Sequence, residues 1–62
     1  MNKNQILGVT CKDLETLVKA SNNSKQVMED FTNRYDDYTY KIDIDHDDLS
    51  YEIYLFKKKE LN

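Results

Sequence analysis

Residues 38–57, YTYKIDIDHDDLSYEIYLFK, decide the fold. Tyr38, Tyr40, Ile42 and Ile44 alternate with Thr39, Lys41, Asp43 and Asp45. After a polar break, Leu49, Tyr51, Ile53 and Leu55 alternate with Ser50, Glu52 and Tyr54. Period two, repeated on either side of a polar break, predicts two strands of one antiparallel hairpin. With Asp45-His46-Asp47-Asp48 as the connection, Ile44 faces Leu49, Ile42 faces Tyr51, Tyr40 faces Ile53 and Tyr38 faces Leu55. That register puts the apolar side chains on one face and places Lys41 opposite Glu52 and Asp43 opposite Ser50 on the other. An isolated hairpin is marginal in water, so another element must cover its apolar face.

The cover comes from the preceding residues. Leu14, Leu17 and Val18 form one apolar stripe and Val27, Met28, Phe31 and Tyr35 a second; steps of 3.6 residues carry the first into the second through Ser21 and Ser24. Phase continuity favours one long helix. Against it stands Ser21-Asn22-Asn23-Ser24, four residues that prefer caps and turns to helix interiors. The balance tips towards two helices, roughly 11–21 and 24–35, with the first beginning at about Cys11 behind a Thr10 cap and the second capped by Asn23 or Ser24. Either version gives an α+β fold: a broken or continuous N-terminal helical layer (about 11–35) on a C-terminal antiparallel hairpin (about 38–57). Residues 1–62 make a single small domain. Ile6, Leu7 and Val9 around Gly8 suit a short extended segment or the frayed front of a helix. Lys57 to Asn62 reads as the frayed end of the last strand.

Composition sets further bounds. At 62 residues a core is barely sufficient, and self-association as a homodimer, or a partner, is the expected supplement. Cys11 is the one cysteine, so no disulfide forms within the chain; with no leader and no apolar run of membrane-spanning length, the expectation is a soluble cytoplasmic protein with no membrane partner. Net charge is −3, concentrated unevenly: residues 36–56 hold seven acidic groups and one lysine, whereas the flanking segments are weakly basic. Richness in Asn, Lys, Asp and Ile suggests an AT-rich coding source, such as a low-GC bacterium or its phages.

Asp43-x-Asp45-x-Asp47 matches the opening spacing of a calcium loop, but Asp48 stands where the sharp turn needs glycine and Tyr54 where the bidentate glutamate belongs. His46 has no second histidine or placed cysteine to complete a zinc or nucleophilic site. Cys11 reads as a semi-buried filler. No cofactor, metal site or catalytic residue is assigned, and an enzyme is not expected. Tyr54 and Phe56 fall on the hairpin's second face, opposite Thr39 and Asp37. They are either an exposed apolar spot rimmed by acids, which marks an interface, or the floor beneath a third strand formed by Ile6–Val9.

The order helix, Ser-Asn-Asn turn, helix, acidic hairpin resembles a minimal winged helix-turn-helix. The resemblance covers the topology of about 45 residues, with Ser24 to Tyr35 in the place of the recognition helix. It implies a DNA-binding regulator that would use Lys12, Lys25, Arg34 and Lys57–Lys59 against phosphates. The would-be wing tip, Asp45-His46-Asp47-Asp48, departs from that pattern, because phosphate contact needs lysine or arginine there. Direct nucleic-acid binding is therefore not the leading expectation. That expectation is a small acidic inhibitor or regulator, similar in kind to phage or mobile-element proteins. It would occupy a basic nucleic-acid-binding surface of a host or cellular protein through Asp36, Asp37, Asp43, Asp45, Asp47, Asp48, Glu52, Tyr54 and Phe56. A purely structural or assembly role, with the acids as a solvated face, is the further alternative.

Overall fold

A computed structural model of the chain describes residues 3–58. Strand β1 (Gln5–Thr10) is followed by helix α1 (Leu14–Arg34) and then by the strands β2 (Tyr38–Asp45) and β3 (Ser50–Lys57). The three strands form an antiparallel sheet in the order β1-β3-β2, and α1 packs on one face of it, an α+β fold. The first segment, left open between strand and helix by sequence, is therefore a strand, paired along β3 as Gly8 with Glu52 and Val9 with Tyr51. Residues 59–62, most of the expected frayed tail, lie outside the described residues. Within them, β3 continues to Lys57 and the Lys58 amide donates to the Asp37 carbonyl at 2.7 Å.

The helical layer is one unbroken helix of 21 residues, not two. Ser21, Asn22, Asn23 and Ser24 do not break it: Ser21 is buried with its hydroxyl bonded back to the helix itself, and Ser24 is tied to the sheet. Ser21, 4% exposed, donates to the Val18 carbonyl at 3.2 Å, and Ser24 shares a 2.8 Å hydrogen bond with the Tyr51 hydroxyl on the sheet. A small buried residue at position 21 also lets helix and sheet approach closely. The start differs too: Thr10 belongs to β1, and the N-cap is Asp13, whose Oδ1 accepts from the Thr16 amide at 2.7 Å. With the helix continuous, the winged helix-turn-helix resemblance is lost, since no turn separates two helices.

The hairpin exists, but its register is displaced by two residues. Ile44 pairs with Tyr51, Ile42 with Ile53, Tyr40 with Leu55 and Tyr38 with Lys57. The cause lies in the connection. Asp45 Oδ1 accepts from the amides of Asp47 and Asp48 at 3.0 and 3.1 Å, and Leu49 adopts φ 54°, so the chain reverses over residues 46–49 and resumes pairing at Ser50. A left-handed leucine costs roughly 1–2 kcal/mol. Two contacts offset it: the Leu49 carbonyl accepts from the Cys11 amide at 2.7 Å, and its side chain packs against the core. A two-residue shift keeps each side chain on its expected face while changing its neighbour.

Leu17, Met28, Tyr51 and Ile53 form the buried core, with Val9, Cys11, Ala20, Tyr40, Ile42, Leu49 and Leu55 packed around it. Leu14, Val18 and Val27, which the apolar stripes placed with the core, are 52%, 46% and 64% exposed. Ile6, Leu7 and Ile44 of the strands are exposed as well, so helix and sheet cover each other only in part.

Candidate functional site, the uncovered sheet face

Alternation along three paired strands builds a second face that no described element covers. From β2 it takes Thr39, Lys41, Asp43 and Asp45; from β3, Ser50, Glu52, Tyr54 and Phe56; from β1, Gln5, Gly8 and Thr10. A Cβ at Gly8 would lie 3.0 Å from the Gln5 side-chain nitrogen, the mobile end of a long side chain that can give way. The face is divided along its length.

One end is acidic. The observed register sets Asp43 directly across from Glu52 and Asp45 across from Ser50, where the sequence had predicted Lys41 opposite Glu52 and Asp43 opposite Ser50. Like charges directly opposed destabilise a strand pair, so the hairpin carries this charge at a cost. Asp43, Asp45, Asp47, Asp48 and Glu52, with Ile44, His46 and Ser50, line one open depression of roughly 550 Å³ at the hairpin tip. Among the described residues, no group of three His, Cys, Asp or Glu side chains is arranged to hold a metal ion. One carboxylate oxygen of Asp45 accepts from two loop amides.

The middle is aromatic. Tyr54 and Phe56 stack with ring centroids 6.5 Å apart and planes 17° apart. They are half-buried on an uncovered face because each ring shields the other. Tyr54 is tied to the acidic end: its hydroxyl donates to Glu52 Oε1 at 3.3 Å, and Lys41, paired across from it, sets its ammonium 5.8 Å from the ring centroid while reaching Asp43 at 3.5 Å. Desolvation and the adjoining Glu52 and Asp43 carboxylates raise the Tyr54 hydroxyl above the usual tyrosine range. β1 becomes a strand without covering the pair, since it lies beside β3 in the same sheet. The third strand weighed from sequence is thus present but does not cover the pair, and the pair is half-buried, not exposed.

Asp36 and Asp37 do not join the acidic end. They occupy the turn between α1 and β2, at the far end of an eight-residue strand, roughly 25 Å away at the rise of an extended chain. The nine residues singled out from sequence thus divide into five acids at the hairpin tip, two aromatics between, and two acids beyond. Alternation along β3 already placed Tyr54 and Phe56 on one face, whereas the position of Lys41 across from Tyr54 depended on the register and was not legible. An apolar groove was also missed, where Ile6 and Leu7 of β1 face Val27 and Met28 of α1.

Comparison with protein-family models, with curated proteins and with solved structures finds no match to this chain. Among the described residues, no helix is long and apolar enough to cross a membrane.

Proposed function

We infer that this protein is an acidic protein-binding inhibitor or regulator that lays its uncovered sheet face on a basic, nucleic-acid-binding surface of another protein. The observation that carries this reading is the Asp43–Glu52 pair beside the Tyr54–Phe56 stack. Carboxylates held on adjacent strands present a preorganised array, which binds without first losing its own conformational freedom and speeds association with a basic partner. A half-buried aromatic pair beside that array supplies the apolar anchor that charge alone lacks. Asp36 and Asp37 would act as a second, separate contact. A cytoplasmic target of the phage–host kind fits the size and charge of the chain.

Replacement of Asp43, Asp45, Asp47 and Asp48 by Asn tests the reading, because Asn at position 45 retains an oxygen for the loop amides. Capture of a basic nucleic-acid-binding protein by the wild-type chain, reversed by competing DNA and by salt and lost in the variant, is the expected result. Equal capture by both chains, or recovery of DNA itself, would remove the acidic face from the account.

A further inference from the structure

We propose that two copies of this chain join through the free edges of β2, forming a continuous six-stranded sheet about a two-fold axis at Ile42. β2 is an edge strand whose eight residues all pair in unbroken register with β3, so its outer backbone groups present a straight, unbulged template. The other edge, β1, is interrupted by a register shift between Gln5 and Leu7, a device that blunts edges, and it carries no charged residue to select a register.

The side chains of β2 choose one antiparallel register. With Ile42 opposite Ile42 of the second copy, Lys41 lies opposite Asp43, Asp43 opposite Lys41, and Tyr40 opposite Ile44. A shift of two residues one way sets Lys41 against Lys41; the other way sets Asp43 against Asp43. A one-residue slip sets the apolar row against the charged row. The Asp43-centred register also sets Lys41 opposite Asp45 twice, but around an Asp43–Asp43 contact; the Ile42-centred register alone yields two opposite-charge pairs with no like-charge pair on one face, and an unbroken apolar row on the other. It also gives Asp43, which has a like charge across from it on β3, a cation on its free side.

The helix leaves room for this arrangement. Its C-terminal half lies against the start of β2, where the Tyr40 hydroxyl donates to Glu29 at 3.4 Å and the Phe31 and Tyr38 rings stand 5.8 Å apart. Beside the end of β2 there is instead a groove between Ser21, Asn22 and Ile44, and Ile44 is 45% exposed. A two-fold axis at Ile42 brings the crowded end of one copy beside the open end of the other, so each Ile44 is covered. Such an interface is isologous and closes at two copies. It does not require the inhibitor reading, although Lys41 and Asp43, which select its register, lie on the open face; the oligomeric state is read without any partner present.

The test is sedimentation equilibrium of the full chain in reducing buffer, with circular dichroism to confirm folding. Samples are the wild type, Lys41→Asp, Asp43→Lys, the double exchange Lys41→Asp/Asp43→Lys, and Thr10→Lys on β1. Each single reversal should raise the dimer dissociation constant by about tenfold or more, as two favourable cross-strand pairs become repulsive. The double exchange should return it to within about threefold of wild type, and Thr10→Lys should leave it unchanged. Asp43→Lys removes both the repulsion with Glu52 and the Lys41–Asp43 contact, so urea unfolding is measured for each variant and dissociation is read only for chains that remain folded. A wild type that is monomeric throughout, a dimer indifferent to the reversals, failure of the double exchange to restore it, or dissociation by Thr10→Lys would overturn the proposal.

Discussion

The two faces of this sheet are built from the same three strands and differ in what opposes them. On the covered face, Tyr51 and Ile53 are 4% and 3% exposed beneath Leu17 and Met28, and the Tyr51 hydroxyl finds Ser24 27 residues away in the chain. On the uncovered face, adjacent positions of the same strands carry Asp43 across from Glu52 and two aromatic rings that stack on each other beside Lys41. One face gathers the interactions that hold the fold, and the other gathers a like-charge pair that works against it. That division makes stability and binding separable by substitution.

Leu17→Ala should break the covered face outright. Leu17 is fully buried, and such truncations cost about 2–5 kcal/mol, comparable with everything a core of this size supplies. Loss of a cooperative thermal transition by circular dichroism is the expected outcome; a melt within a few degrees of wild type would show that the core lies elsewhere. Tyr51→Phe is milder. It leaves the ring in place and strands the Ser24 hydroxyl, so urea unfolding should give a loss of about 1 kcal/mol.

On the uncovered face the sign should reverse. Asp43→Asn relieves the repulsion from Glu52 and should raise stability by about 0.2–1 kcal/mol in urea unfolding, while weakening capture of a basic partner. Destabilisation instead would mean that the Lys41–Asp43 contact outweighs the like-charge pair. The smallest effect is at the helix start. The hydrogen bonds from Thr16 hold the Asp13 carboxyl below its ordinary value of 3.8, so the stability it contributes is present above about pH 4 and is lost as pH falls through the lowered value. Asp13→Asn keeps a capping oxygen but does not titrate, so its melting temperature should fall less than that of the wild type between pH 5 and about pH 2. Parallel pH profiles would remove Asp13 from the acid-sensitive set.

The sequence carried the face assignment of the hairpin because alternation survives any shift of two residues. The neighbours were not legible, since they depended on Leu49 taking a backbone conformation unusual for leucine and on Asp45 binding two loop amides. The unbroken helix was hidden for a related reason: Ser24 competes with helical backbone only until a tyrosine from β3 engages its hydroxyl. At the site, the acids were visible in composition, but their division into the hairpin tip and the distant Asp36–Asp37 turn was not. Lys41, the base beside Tyr54, was read as a partner for Glu52 and became part of the aromatic cluster through the register.

The most direct measurement pairs urea unfolding with partner capture for the chain carrying Asn at positions 43, 45, 47 and 48. The account predicts a transition midpoint equal to or above that of the wild type, together with loss of the DNA-displaceable partner. Capture retained at wild-type strength by this variant, with its fold intact, would contradict the assignment of the acidic sheet face as the binding surface.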